Sequence, residues 1–336
     1  MSLVIDVHTH VVPSHIPADR QCGSLWPSIA REGEDANVMI GGKVFRRIDS
    51  RCWDVPRRLG DMREDGVDVH VLSPMPELLS HWLEPGNAEA LSEIMNADIA
   101  RMMDEAPGRF AGIGMICMQD TSRAVRQMEQ LKARGFRGFE IGSHINGTPL
   151  GAQSLWPIYE AAEALDLVVF VHPLHPVGVE RIGAAGEYAA VAVFPLETAL
   201  AAVSLLAHGV PDRYPRLKVL LSHGGGALPW ILPRLDQGLQ ISAAMKQVMQ
   251  NDPSSIARRF WYDTIVYSGD TLRFMAQTLG DRHIVVGSDY PFAIRQQQPG
   301  AFAVQALGAG SPCLRDNAES LLGMTFEPAA MREAAQ

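Results

Sequence analysis

Two histidines one residue apart close the first apolar run of the chain, Leu3-Val4-Ile5-Asp6-Val7-His8-Thr9-His10. Side chains at i and i+2 of a strand point the same way, so both imidazoles can reach one ion. Neutral imidazole suits zinc and related divalent transition ions. In a chain with eleven histidines the pair says little alone. Three later runs add to it by closing on a polar residue: Val168-Val169-Phe170-Val171-His172, Val219-Leu220-Leu221-Ser222-His223 and Ile284-Val285-Val286-Gly287-Ser288-Asp289. His8, His10 and His172 supply nitrogens and Asp289 an anionic oxygen, a ligand set for Zn2+, with Mn2+ or another divalent transition ion as the alternative. Such an ion lowers the pKa of its water from about 15.7 to about 7. Asp289 can accept a proton as well as bind, and His223 is expected to carry protons beside the ion.

These residues can meet only where strand ends converge. Short apolar runs at residues 4–8, 67–73, 110–118, 138–142, 168–172, 217–223, 261–265 and 284–289 read as strands. Segments 87–105, 121–134, 153–165, 196–208 and 269–279 have helical length and spacing. Eight alternations predict an α/β protein, a (β/α)8 TIM barrel, as one domain over residues 1–336. In that architecture the carboxyl ends of the strands gather around one mouth. The first crossover, about residues 12–56, is too long for one helix. Its β-prone runs around Gly41-Gly42 predict an inserted hairpin flap near the mouth. Gly224-Gly225-Gly226 reads as a tight strand-to-helix turn, because no dinucleotide fingerprint, Walker lysine or nucleophile elbow accompanies it. The helix that follows carries Trp230 and Arg234, and the tail after Leu322 is rich in Ala and Glu.

Composition narrows the function class. At 336 residues the chain can bury a large core, and 47% hydrophobic and 20% charged residues with mean hydropathy near zero describe a globular protein. A net charge of −9 and pI near 5.7 argue against a general nucleic-acid or anionic-membrane surface, so an acidic substrate must meet local arginines. Cys22, Cys52, Cys117 and Cys313 show no CxxC spacing and read as reduced thiols of a cytoplasmic protein. No basic-then-apolar leader precedes the first strand, and no stretch is expected to reach the roughly 18 apolar residues of a membrane span.

Over nearly its whole length, residues 5–322, the chain resembles the amidohydrolase superfamily, and within it the decarboxylases like 2-amino-3-carboxymuconate-6-semialdehyde decarboxylase. His8-Thr9-His10, Phe170-Val171-His172-Pro173, Ser222-His223-Gly224-Gly225-Gly226 and Gly287-Ser288-Asp289-Tyr290-Pro291-Phe292 look like the branch's metal and catalytic motifs. Val44-Phe45-Arg46 with Cys52-Trp53-Asp54, Glu140-Ile141-Gly142-Ser143-His144-Ile145-Asn146, and Leu232-Pro233-Arg234-Leu235-Asp236 are more specific to that branch. The resemblance implies a non-oxidative decarboxylase of an unsaturated or aromatic carboxylic acid. It further implies that Arg46 and Arg234 hold substrate carboxylate, Arg234 reaching into the partner's site of a homodimer. A lactone or amide hydrolase, or a hydratase, is the alternative on the same scaffold. The chain departs from the branch after His172-Pro173, where Leu174-His175 replaces Trp-Asp, and in the loop 183–190, which offers Tyr188 and no tryptophan. Those changes predict an altered pocket wall.

Overall fold

A computed structural model describes residues 3–17, 25–183 and 188–327. In chain order, β1 (Ile5–Val11) leads to an antiparallel meander of β2 (Ser28–Glu32), β3 (Asp35–Ile40) and β4 (Lys43–Asp49), and then to α1 (Val55–Asp65). Next come β5 (Val69–Pro74), α2 (Pro85–Glu105), β6 (Phe110–Met115), α3 (Thr121–Ala133) and β7 (Gly138–Gly142). A small hairpin, β8 (His144–Ile145) and β9 (Thr148–Pro149), precedes α4 (Trp156–Ala164), β10 (Val168–His172), α5 (Phe194–Ala207) and α6 (Val210–Arg213). The remainder runs β11 (Lys218–Leu221), α7 (Leu228–Ile241), α8 (Ala243–Val248), α9 (Pro253–Ala257), β12 (Trp261–Asp263), α10 (Gly269–Leu279), β13 (Ile284–Val285), α11 (Pro299–Leu307) and α12 (Asp316–Leu322).

Eight strands pair side by side in parallel in the order β1-β5-β6-β7-β10-β11-β12-β13. The ends of that order meet, because Val7 N–H donates to the Val286 carbonyl at 2.8 Å and His10 N–H to the Tyr290 carbonyl at 2.7 Å. The fold is the expected (β/α)8 barrel. Alternation explains its core: Val168 and Phe170 of β10 pack with Ile5, Val7 and Leu220 inside the barrel, while Val169 and Val171 pack against the helical layer. Leu321 of α12 and Phe326 join the interior cluster.

Local chemistry sets the boundaries. Asp54 and Asp120 accept backbone N–H groups at the starts of α1 and α3, and Gly66 ends α1 in the left-handed region. The expected hairpin is a three-stranded sheet, with β2 pairing outside β3. The last two barrel strands are shorter than their apolar runs, because Asp263 and Asp6 side chains accept the backbone N–H groups of Ile265 and Ser288 where ladder bonds would otherwise continue. The segment Ala189–Ala207 corrects the expectation that no stretch is apolar enough to span a membrane, since its length and composition pass that test. Ala199, Ala202 and Leu205 of this segment pack into the helical layer, and Glu197 is buried in it.

Candidate metal centre

Period two on β10 places His172 directly above Phe170 in the barrel interior. On β1 the pairing register slips between Asp6 and Thr9, and His8 and His10 both turn inward with Nε2 atoms 3.0 Å apart. Asp289 N–H donates to the His8 carbonyl at 2.9 Å, which brings Asp289 Oδ1 to 3.1 Å from His10 Nε2 and 3.6 Å from His8 Nε2. One ligand atom from each of His8, His10, His172 and Asp289 lies within 4.8 Å of the others, and all four residues are buried. The structure therefore brings the sequence-predicted metal set together.

Hydrogen bonding fixes the tautomers. Nδ1 of His8 faces Asp263 Oδ2 at 2.6 Å, that of His10 faces the Pro74 carbonyl at 2.8 Å, and that of His172 faces the Pro173 carbonyl at 3.0 Å. Each partner is an acceptor, so each Nδ1 carries the proton and each Nε2 presents a lone pair. His172 Nε2 and Asp289 Oδ1 have no hydrogen-bond partner. Converging lone pairs and a carboxylate oxygen repel one another unless a cation lies among them, so the donor set fits a divalent transition ion.

The surroundings act differently on the rings and the carboxylate. Burial, reinforced by His10, His223 and His8, holds His172 well below the usual imidazole range. Burial also disfavours charge on His10, but its contact with Asp289 and the nearby Glu140 outweigh that and pull it upward. Desolvation would raise Asp289, yet His10, His8 and His223 together bring it down, so the carboxylate stays ionised.

His223 stands beside the cluster, its ring centroid 5.1 Å from that of His172 and 5.5 Å from that of His8. Its Nδ1 is buried and without a partner. Burial first, and then His8, push its pKa down to about 4, so the ring is neutral near pH 7. Its backbone sits at φ 55, at the entrance to the glycine turn. Gly226 is required there, since a Cβ would collide with the Pro195 backbone.

Three buried residues were given no role from the sequence. Asp263 holds His8 Nδ1 and also accepts from the backbone N–H groups of His223 and Gly224, at 2.9 Å each. It closes the run Trp261-Tyr262-Asp263, so the criterion that picked out Asp289 could have found it. Glu140 of β7 lies with Oε2 3.9 Å from His10 Nδ1, and burial pushes it up to about 7. Arg58 of α1 donates to the His10 carbonyl and to Thr9 Oγ1, with its guanidinium 4.7 Å from the Tyr290 ring centroid.

A cavity of about 540 Å³ opens onto His172, His223 and Asp289, with mostly apolar walls that include Met75, Phe194 and Ile265. Phe45 and Arg46 of β4 form part of this wall, so the inserted sheet borders the site. The Arg46 guanidinium lies 4.5 Å from the centroid of Phe292, whose ring stacks on His10. Arg234 is different: it is exposed on α7 and does not line the cavity of its own chain. Tyr188 is 51% exposed and also off the wall, while His175 contacts it through Glu77.

The amidohydrolase family model matches residues 5–325. The chain is 35% identical over 304 residues to 2-amino-3-carboxymuconate-6-semialdehyde decarboxylase from Dictyostelium discoideum, covering 89% of this chain and 84% of the relative. The solved 5-carboxyvanillate decarboxylase from Sphingomonas paucimobilis is 30% identical with a TM-score of 0.73, covering 82% of this chain and 85% of that one. A dihydroxybenzoic acid decarboxylase from Polaromonas, solved with manganese and 2-nitroresorcinol, has a TM-score of 0.79 at 22% identity, with 96% and 97% of the two chains covered. The chain belongs to the amidohydrolase family.

Proposed function

We propose that this protein is a metal-dependent, non-oxidative decarboxylase of an unsaturated or aromatic carboxylic acid, carried by one barrel domain. The observation that carries this reading is the meeting of three imidazoles and a carboxylate at the end of an apolar cavity whose wall bears Arg46. Decarboxylase relatives spanning most of the chain support the reaction class.

His8, His10, His172 and Asp289 would hold the ion, Zn2+ by donor chemistry, with Mn2+ as the alternative in view of the manganese-bound neighbour. When bound, the ion supplies Lewis acidity and acidifies a water. The chain's own residues do the rest. His223, neutral and with Nδ1 unpartnered, takes up a proton near the cluster and returns it to the substrate carbon. Arg46 holds a substrate carboxylate, since guanidinium pairs with it in a fixed fork and stays charged. Phe292 beneath it and the apolar walls receive a flat conjugated body. Asp263 keeps His8 and the His223 turn in place.

The active form in this reading is a homodimer. Trp230 and Ile241 on α7 are 77% and 78% exposed, and Leu196 and Leu200 on α5 are exposed as well. An apolar face of this kind favours a partner surface, and it would carry Arg234 to the neighbouring site. Buried, unpaired Cys52, Cys117 and Cys313 support a reducing, cytoplasmic setting, and Cys22 lies outside the described residues.

Product mass analysis over a panel of carboxylated dienes and hydroxybenzoates tests the reaction. The metal-loaded protein should release carbon dioxide without oxygen or nicotinamide. Net gain of water with no carbon dioxide would overturn the reading in favour of a hydrolase or hydratase.

A further inference from the structure

One carboxylate on the cavity wall has no task in the reaction above. Glu77 sits in the 3-10 turn Pro76–Leu79 after β5 and lines the same cavity as Arg46, His172 and His223. Besides Asp289, it is the only acid among the described residues of that wall. Its side chain is 16% exposed, and its Oε1 is 3.0 Å from Nε2 of His175.

His175 is itself fixed from several sides. It adopts φ 47, a left-handed conformation that a non-glycine residue keeps only when its surroundings hold it there. Its ring centroid is 5.4 Å from that of Trp82. Its carbonyl accepts from His144 Nε2 at 3.2 Å, and His144 Nδ1 in turn accepts from Gly147 N–H at 3.0 Å, which fixes the His144 tautomer. The result is a carboxylate with one oxygen tethered, set in a mainly apolar wall. An ionised carboxylate can only accept hydrogen bonds.

We propose that Glu77, held by His175, determines specificity in this cavity by selecting carboxylic acids that also carry an amino or hydroxyl hydrogen-bond donor. The inference rests on the carboxylic-acid reading above and adds the second group the acid must bear. Arg46 offers the cavity's fixed cation and Glu77 its fixed acceptor, so a ligand with an anionic group and a donor finds a partner for both. An acid whose donor is capped by methyl groups desolvates Glu77 without replacing the lost bonds to water. A polar group left unsatisfied in this way rejects an analogue far more strongly than an apolar wall does. His175 acts through Glu77 and is a positioning residue.

Calorimetric binding to the metal-loaded full-length protein tests this with matched probes: the three hydroxybenzoate isomers against their methoxy counterparts, and the aminobenzoates against their N,N-dimethyl forms. The unmodified protein should prefer the donor-bearing member of at least one pair by about 30-fold or more. The pair that shows the preference identifies the donor as hydroxyl or amine. Glu77→Leu should reduce the ratio to about threefold or less by weakening only the donor-bearing acid, and Glu77→Gln should retain part of it. His175→Ala should lower the ratio and His175→Gln, which keeps an N–H, should restore it. No preference for any isomer, or equal weakening of both members by Glu77→Leu, overturns the proposal. Binding requires no turnover, so the two readings fail separately. A ratio lost in Glu77→Leu with no carbon dioxide from any acid removes the decarboxylase reading alone. Carbon dioxide release with an unchanged ratio removes the Glu77 assignment alone.

Discussion

Two groups of histidines lie at the mouth of this barrel, and only one is arranged to hold an ion. In the deep group, His8, His10 and His172 each commit Nδ1 to a fixed acceptor, which leaves three Nε2 lone pairs facing a common point beside Asp289. At the rim, His81, His144 and His175 direct their nitrogens elsewhere. His81 Nε2 accepts from Gly142 N–H, His144 bridges Gly147 and the His175 carbonyl, and His175 faces Glu77. Burial does not separate the groups, since His81 is as buried as His172. Shared focus does: coordination depends on where the second nitrogen of each ring is anchored.

Losing a ring from each group should break the comparison most sharply. His172→Ala should abolish stoichiometric metal after dialysis and lower turnover on the order of 10³-fold or more, whereas His144→Ala should keep its metal; elemental analysis reads both. The next effect isolates His223. His223→Ala should retain the ion yet lose roughly 10²–10⁴-fold in kcat, and loss of the metal instead would place it among the ligands. Asp263→Asn should weaken metal affinity by about 10–100-fold in a chelator competition, while Glu77→Gln leaves that affinity alone. The smallest effect is a pH dependence at the rim. His175 is raised from its ordinary 6.5 first by its hydrogen bond to Glu77, against partial burial. The stabilisation is therefore complete below about pH 6.5 and fades as pH rises through the raised value. With the His175 side chain 51% exposed, solvent screening leaves only a few tenths of a kcal/mol. Urea midpoints of the unmodified protein and Glu77→Gln should accordingly differ more at about pH 5.5 than at about pH 8.5.

The deep group was legible in the chain because each member closes a run of apolar residues, and a parallel barrel gathers such ends by construction. Period two alone carries His172 to the interior once Val168 and Phe170 are placed there. The rim was opaque for the opposite reason. Glu77 and His175 lie 98 residues apart, one in a short 3-10 turn and the other in a loop, and no periodicity records their meeting. The inserted sheet was half visible: β3 and β4 flank Gly41-Gly42, but β2 ends in exposed Arg31 and Glu32, which carry no apolar signal. Strand ends were overestimated at β12 and β13, where the N–H groups of Ile265 and Ser288 go to the side chains of Asp263 and Asp6 instead of to a neighbouring strand. Arg234 remained a matter of resemblance, because one chain leaves it outside its own cavity.

Asp263 grips a ligand imidazole with one oxygen and, with both, the peptide that carries the proton-transferring ring. Those two parts are geared together, and neither can be retuned by evolution or by a protein engineer without disturbing the other. New substrate preferences are therefore more cheaply reached from the opposite shore of the cavity, where Glu77 and the inserted sheet can vary without slackening that joint.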